Sequence, residues 1–167
     1  SVPILVGETI FHLRTALDYL VYELALLDSG NVQVGIRFLI EDSPANWKQH
    51  RRFRLKGIRP RHRAEIKRLQ PMRGVEWPRV LREISNPDNH RTFTIVEPRV
   101  IVPMGGGAGE IISATANDGM KMDRAHRPLI VFTERNLPVI ETLQVLQSQV
   151  GATIDRFRPC FDGNCPH

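Results

Sequence analysis

The chain has 167 residues, 41% of them AVILMFWYC and 25% DEKR, with 12 Gly and 12 Pro. That composition suits a single globular domain with a real core and excludes a disordered chain. No uncharged apolar run approaches the ~18 residues a bilayer span requires, and the opening residues carry no secretory-signal pattern, so a cytoplasmic protein without membrane contact is expected.

From Val6 to Asp28, Ile10, Leu13, Leu17, Leu20, Leu24 and Leu27 recur at spacings of three and four, which predicts one long helix with a continuous apolar stripe. The run Asp28-Ser29-Gly30-Asn31 ends it with turn chemistry and a glycine C-cap. Ile36, Phe38 and Ile40 alternate with Arg37 and predict an extended segment over Gly35–Ile40. Ser43-Pro44 then reads as an N-cap followed by proline in the first helical turn, opening a helix to about Leu55. Gly57 breaks it, and Pro60 opens the next, which runs to about Leu69. In these two helices Phe53, Leu55, Ile58, Ile66 and Leu69 are expected to face inward. A further short helix starts at Trp77-Pro78, buries Val80, Leu81 and Ile84, and stops at Asn86-Pro87, because a residue preceding proline avoids helical angles.

Beyond that point the hydrophobic period changes to two. Residues 92–96, 99–103, 110–116 and 129–133 read as strands separated by Gly, Pro, Asn and Asp turns. A last helix begins near Pro138, carries Val139, Ile140, Leu143, Leu146, Val150, Ile154 and Phe157, and is expected to stop at Pro159. The expected fold is α+β: N-terminal helices, a small antiparallel meander, and a long closing helix packed on the first, in one domain 1–167 with a flexible tail 159–167. The glycine run 105–107 with Gly109 lacks the Lys-Ser/Thr ending of a phosphate loop and precedes a strand, so it is read as a hairpin loop.

The net charge of +5 hides a strong asymmetry. Between Lys48 and Arg73 there are eleven Lys and Arg against Glu65 alone, or +10; the other residues hold 12 positive and 17 negative charges, a remainder of −5. Cations at this density favour phosphate-rich partners through counterion release and faster encounter. Nucleic acid or another polyanion is therefore the expected partner, with Arg51, Arg52, Arg54, Arg59, Arg61 and Arg63 as contact residues. The plainer account is a solvated outer face that keeps two helices soluble.

Two further groups are candidates for chemistry. Arg14, Asp18 and Tyr22 stand at i, i+4 and i+8, in line along the first helix at the edge of its stripe. Asp88, His90 and Arg91 lie where a helix gives way to a strand; His90 can carry a proton near neutral pH and Arg91 can grip a carboxylate or phosphate. Crossed pairing of Arg14 with Asp88 and of Asp18 with Arg91 is expected to dock helix and sheet. The catalytic alternative is a hydrolase or nuclease centred on His90, and a third reading is a protein-interaction or oligomerisation domain, with a homo-oligomer as one form. Cys160, Cys165 and His167 spell C-x4-C-x-H but lack the paired knuckles of a zinc site. They read as two thiols and a histidine on a tail, and neither metal nor cofactor is expected.

The segments 13–20 (LRTALDYL) and 85–91 (SNPDNHR) resemble an uncharacterised bacterial family with an LRxALDxL first helix and a DxHR element before a β meander. The resemblance implies that Arg14, Asp18, Asp88, His90 and Arg91 belong together, and it implies no activity. Nuclease members of the helical HEPN class carry an Arg followed by four to six residues and a His. The corresponding positions before His62 are Leu55, Lys56 and Gly57, and those before His90 are Glu83, Ile84 and Ser85, so that signature is missing. The expected function is a non-enzymatic binding module that uses residues 48–73.

Overall fold

The computed structural model describes residues 2–86, 131–132 and 137–165. The chain divides into two compact units, one comprising Ser1–Arg91 with Leu143–His167 and the other Thr92–Thr142. The elements of the first half are α1 (Val2–Ser29), α2 (Pro44–Arg54), α3 (Pro60–Arg68), a 3-10 turn (Pro71–Arg73) and α4 (Trp77–Ile84). They are followed by β1 (Val131–Phe132), β2 (Leu137–Pro138) and α5 (Val139–Phe161).

The α+β expectation is corrected, because the described residues are overwhelmingly helical. Their extended structure is confined to β1 and β2, paired antiparallel with Val131 opposite Pro138 and Phe132 opposite Leu137. No meander is shown among the described residues, and the expected strands 92–96, 99–103 and 110–116 lie outside them. The sheet expectation rests on period-two runs; what is described follows the helical period.

Each helix starts where backbone chemistry directs. The Ser43 hydroxyl accepts from Asn46 N–H at 3.2 Å, and Pro44 occupies the first turn of α2. Gly57 at φ 80° makes the break before α3, and Gly30 at φ 70° follows the end of α1; both conformations suit glycine because it has no Cβ. On α1, Ile10, Leu17, Leu20 and Leu24 are buried with Val6, Val21 and Ala25, whereas Leu27 is exposed. Leu55, Ile58 and Ile66 face inward as expected, but Phe53 is 70% exposed. Along α5 the buried residues Leu146, Val150, Thr153, Phe157 and Cys160 recur at spacings of four and three. The helix continues through Pro159 to Phe161, so the expected stop at Pro159 does not occur.

Among the described residues α4 lies against α1, and α5 is tied to α3. Arg156 pairs with Glu65 at 2.5 Å, and the Phe157 ring meets the His62 ring edge-on with centroids 6.1 Å apart.

The segment 37–42 belongs to neither a helix nor a strand. Phe38, Leu39 and Ile40 are all buried, so its backbone groups cannot turn to water and must be satisfied internally. Side chains replace the missing neighbour strand. Arg14 donates to the Phe38 carbonyl at 2.7 Å and Asp18 accepts the Phe38 N–H at 2.8 Å. Gln70 donates to the Leu39 carbonyl and accepts the Glu41 N–H, both at 2.8 Å, and Arg82 reaches the Ile40 carbonyl at 3.2 Å. Asp42 closes the seam by pairing with Arg79 at 2.8 Å and Arg82 at 2.5 Å.

Candidate functional site

The basic belt falls on α2, α3 and the turn that follows. Lys48, Arg51, Arg52, Arg54, Lys56, Arg59, Arg61, Arg68 and Arg73 are exposed, and Arg63 and Lys67 are half-buried. Three of them have internal work. Arg54 donates to the Gly35 carbonyl at 3.0 Å, Arg59 Nε lies 3.7 Å from Asp28, and Arg68 pairs with Glu65 at 2.5 Å. The other eight have no acidic partner within ion-pair distance among the described residues.

Three surface hollows are lined by these cations. One of ≈ 220 Å³ is lined by Trp47, Arg51, Pro60, Arg63, Ala64 and Lys67. A second of ≈ 470 Å³, lined by Ala64, Lys67, Arg68 and Arg73, shares Ala64 and Lys67 with the first. The third lies on the other flank of α2, where the exposed Phe53 ring stands with Lys48 and Arg52. No carboxylate lines any of the three. Apart from Arg68, which pairs with Glu65, the cations lining these hollows have no acidic partner among the described residues, and positive charge of this kind concentrates an anionic ligand.

The residues expected from the sequence are therefore sorted. Arg51, Arg52, Arg61 and Arg63 remain available, whereas Arg54 and Arg59 fasten the fold. Arg14 and Asp18 come together with 3.8 Å between them, and both are engaged by the Phe38 backbone. Burial lowers the Arg14 guanidinium below its ordinary pKa, with Asp18 acting in the opposite direction. The other three catalytic candidates, Asp88, His90 and Arg91, lie outside the described residues, as does the crossed pairing expected of them.

A second cluster is not expected from the sequence. His62, on the inner face of α3, is 2% exposed, and its Nδ1 lies 2.7 Å from Oδ2 of Asp28. Its Nε2 lies 3.3 Å from Cys165 Sγ, and Cys165 is joined to Cys160 by a disulfide. The cysteines are thus part of the packed structure, Cys160 being buried on α5. The sequence signals that point to it are the continuation of the α5 stripe to Cys160 and the placement of His62 four residues before the inward-facing Ile66.

Compared with protein-family models, curated proteins and solved structures, the chain matches none of them. The functional reading rests on the residues themselves.

Proposed function

We propose that the protein is a nucleic-acid-binding module and that the outer face of α2 and α3 is its contact surface. The observation that carries this reading is the pair of adjoining hollows lined by Arg51, Arg63, Lys67, Arg68 and Arg73 with no carboxylate among them. Phosphates seated there release counterions from the nucleic acid, the main source of sequence-independent affinity. The exposed Phe53 beside Lys48 and Arg52 adds a platform on which an unpaired base stacks, which favours a single strand over a duplex.

The test is binding of a labelled oligonucleotide by fluorescence anisotropy. Affinity is expected to fall steeply with salt and to drop when Arg51, Arg63 and Lys67 are changed together to Gln. Binding that ignores both changes would contradict the reading.

A further inference from the structure

We propose that His62, Cys160 and Cys165, with both thiols reduced, form a site for a thiophilic divalent metal ion of the zinc type, and that Asp28 holds the histidine in its ligating orientation. The donor atoms of the three residues lie within 4.8 Å of one another, brought together from α3, the last turn of α5 and the residues that follow it. Two thiolates and an imidazole are the donor set a zinc-type ion prefers.

The histidine is arranged as a ligand. The Asp28 side chain is 1% exposed and already accepts the Arg59 N–H at 2.8 Å, so its carboxylate is fixed in place before it meets the ring. Its contact with His62 Nδ1 at 2.7 Å places the ring proton on Nδ1. The nitrogen left to ligate is Nε2, which lies 3.3 Å from Cys165 Sγ. In the disulfide neither sulfur has a proton to offer that nitrogen; a cation between nitrogen and sulfurs would satisfy all three. Nitrogen and sulfur bound to one tetrahedral zinc stand about 3.5 Å apart, close to the observed separation. A carboxylate behind a ligating histidine is the usual outer-shell partner at metal sites.

Disulfide and metal are alternative states of the same sulfurs. A thiol or phosphine reductant delivers two electrons, and with two protons the Sγ–Sγ bond becomes two thiols. Metal binding then displaces both thiol protons to solvent as two metal–sulfur bonds form. The two sulfurs ligate only in the reduced state; a small-molecule disulfide that takes up the two electrons and leaves as two thiolates re-forms the Sγ–Sγ bond and releases the ion.

The experiment uses the full chain, reduced with a phosphine and then re-oxidised, and titrated with cobalt(II) followed by zinc(II). The reduced chain is expected to bind one cobalt with the absorption of a tetrahedral thiolate site, zinc should displace it, and the oxidised chain should bind neither. Asp28→Asn should weaken zinc affinity by ~10–100-fold, and Cys165→Ser and His62→Gln should weaken it further. Absence of the thiolate band from the reduced chain would overturn the proposal, as would unchanged affinity in Cys165→Ser. Should His62→Gln unfold, Cys165→Ser carries the test, because Cys165 is only half-buried.

Discussion

Arginine does opposite work in two neighbouring parts of this molecule. In the seam around residues 37–42, Arg14, Arg79 and Arg82 each face a carbonyl or carboxylate, and the backbone they serve is buried. On the outer face of α2 and α3, Arg51, Arg63 and Lys67 line an open hollow without an acid. The same side chain is architecture where it meets a partner and a contact device where it does not. Composition registers both as positive charge; only the position of the acids separates them.

The sharpest way to break this comparison is at Gln70, which is fully buried and serves Leu39, Glu41 and the Ile66 carbonyl. Gln70→Ala orphans the Leu39 carbonyl and the Glu41 N–H, while the Ile66 carbonyl keeps the Leu69 N–H, and should cost about 2–4 kcal/mol in urea denaturation. Asp18→Ala removes the acceptor of the Phe38 N–H and leaves Arg14 without its neighbouring carboxylate, so a loss of about 1–3 kcal/mol is expected in the same assay.

On the outer face the effects change kind. The triple variant Arg51→Gln, Arg63→Gln, Lys67→Gln should leave stability within ~0.5 kcal/mol while weakening oligonucleotide binding by roughly tenfold or more. Phe53→Ala should weaken single-strand binding by ~1–3 kcal/mol and leave duplex binding nearly unchanged, since stacking requires an unpaired base.

The smallest effect is a pH dependence at the rim of the seam. Partial burial works to raise the Asp42 carboxyl, but the hydrogen bonds from Arg79 and Arg82 outweigh it and hold the group below the ordinary carboxylate range. A carboxyl depressed on folding stabilises the folded state above its unfolded pKa, and that contribution vanishes as pH falls through the folded value. Asp42→Asn should therefore cost no more than about 1 kcal/mol at pH 7, and the difference from the parent chain should shrink below pH ~4 in paired thermal melts.

Helix starts are legible in the sequence because they depend on local chemistry, with Ser43-Pro44, Pro60 and Trp77-Pro78 each acting within one turn. The seam is not legible: alternation over 35–40 predicts every second residue inward, yet Phe38, Leu39 and Ile40 are buried in succession, and a segment whose hydrogen bonds go to Arg14, Asp18, Gln70 and Arg82 has no signature at any fixed spacing. Phe53 misleads for a related reason. At helical spacing an aromatic reads as core, and its exposure is decided by what lies opposite in three dimensions. The belt is legible as charge, but the division between Arg54 and Arg59, which fasten the fold, and Arg51 and Arg63, which face the hollow, depends on Gly35 and Asp28 far away in sequence. The cluster of His62 with Cys165 joins residues 103 apart, beyond the reach of any local motif.

The most direct test of the central claim is the slope of log affinity against log salt for a single-stranded oligonucleotide, measured on the parent chain and on the triple variant of Arg51, Arg63 and Lys67. Removing one cation that neutralises a phosphate flattens the slope by about 0.7, so a difference of roughly 2 is expected, with the variant the shallower. Equal slopes for the two chains would mean that these three cations touch no phosphate, and would contradict the account.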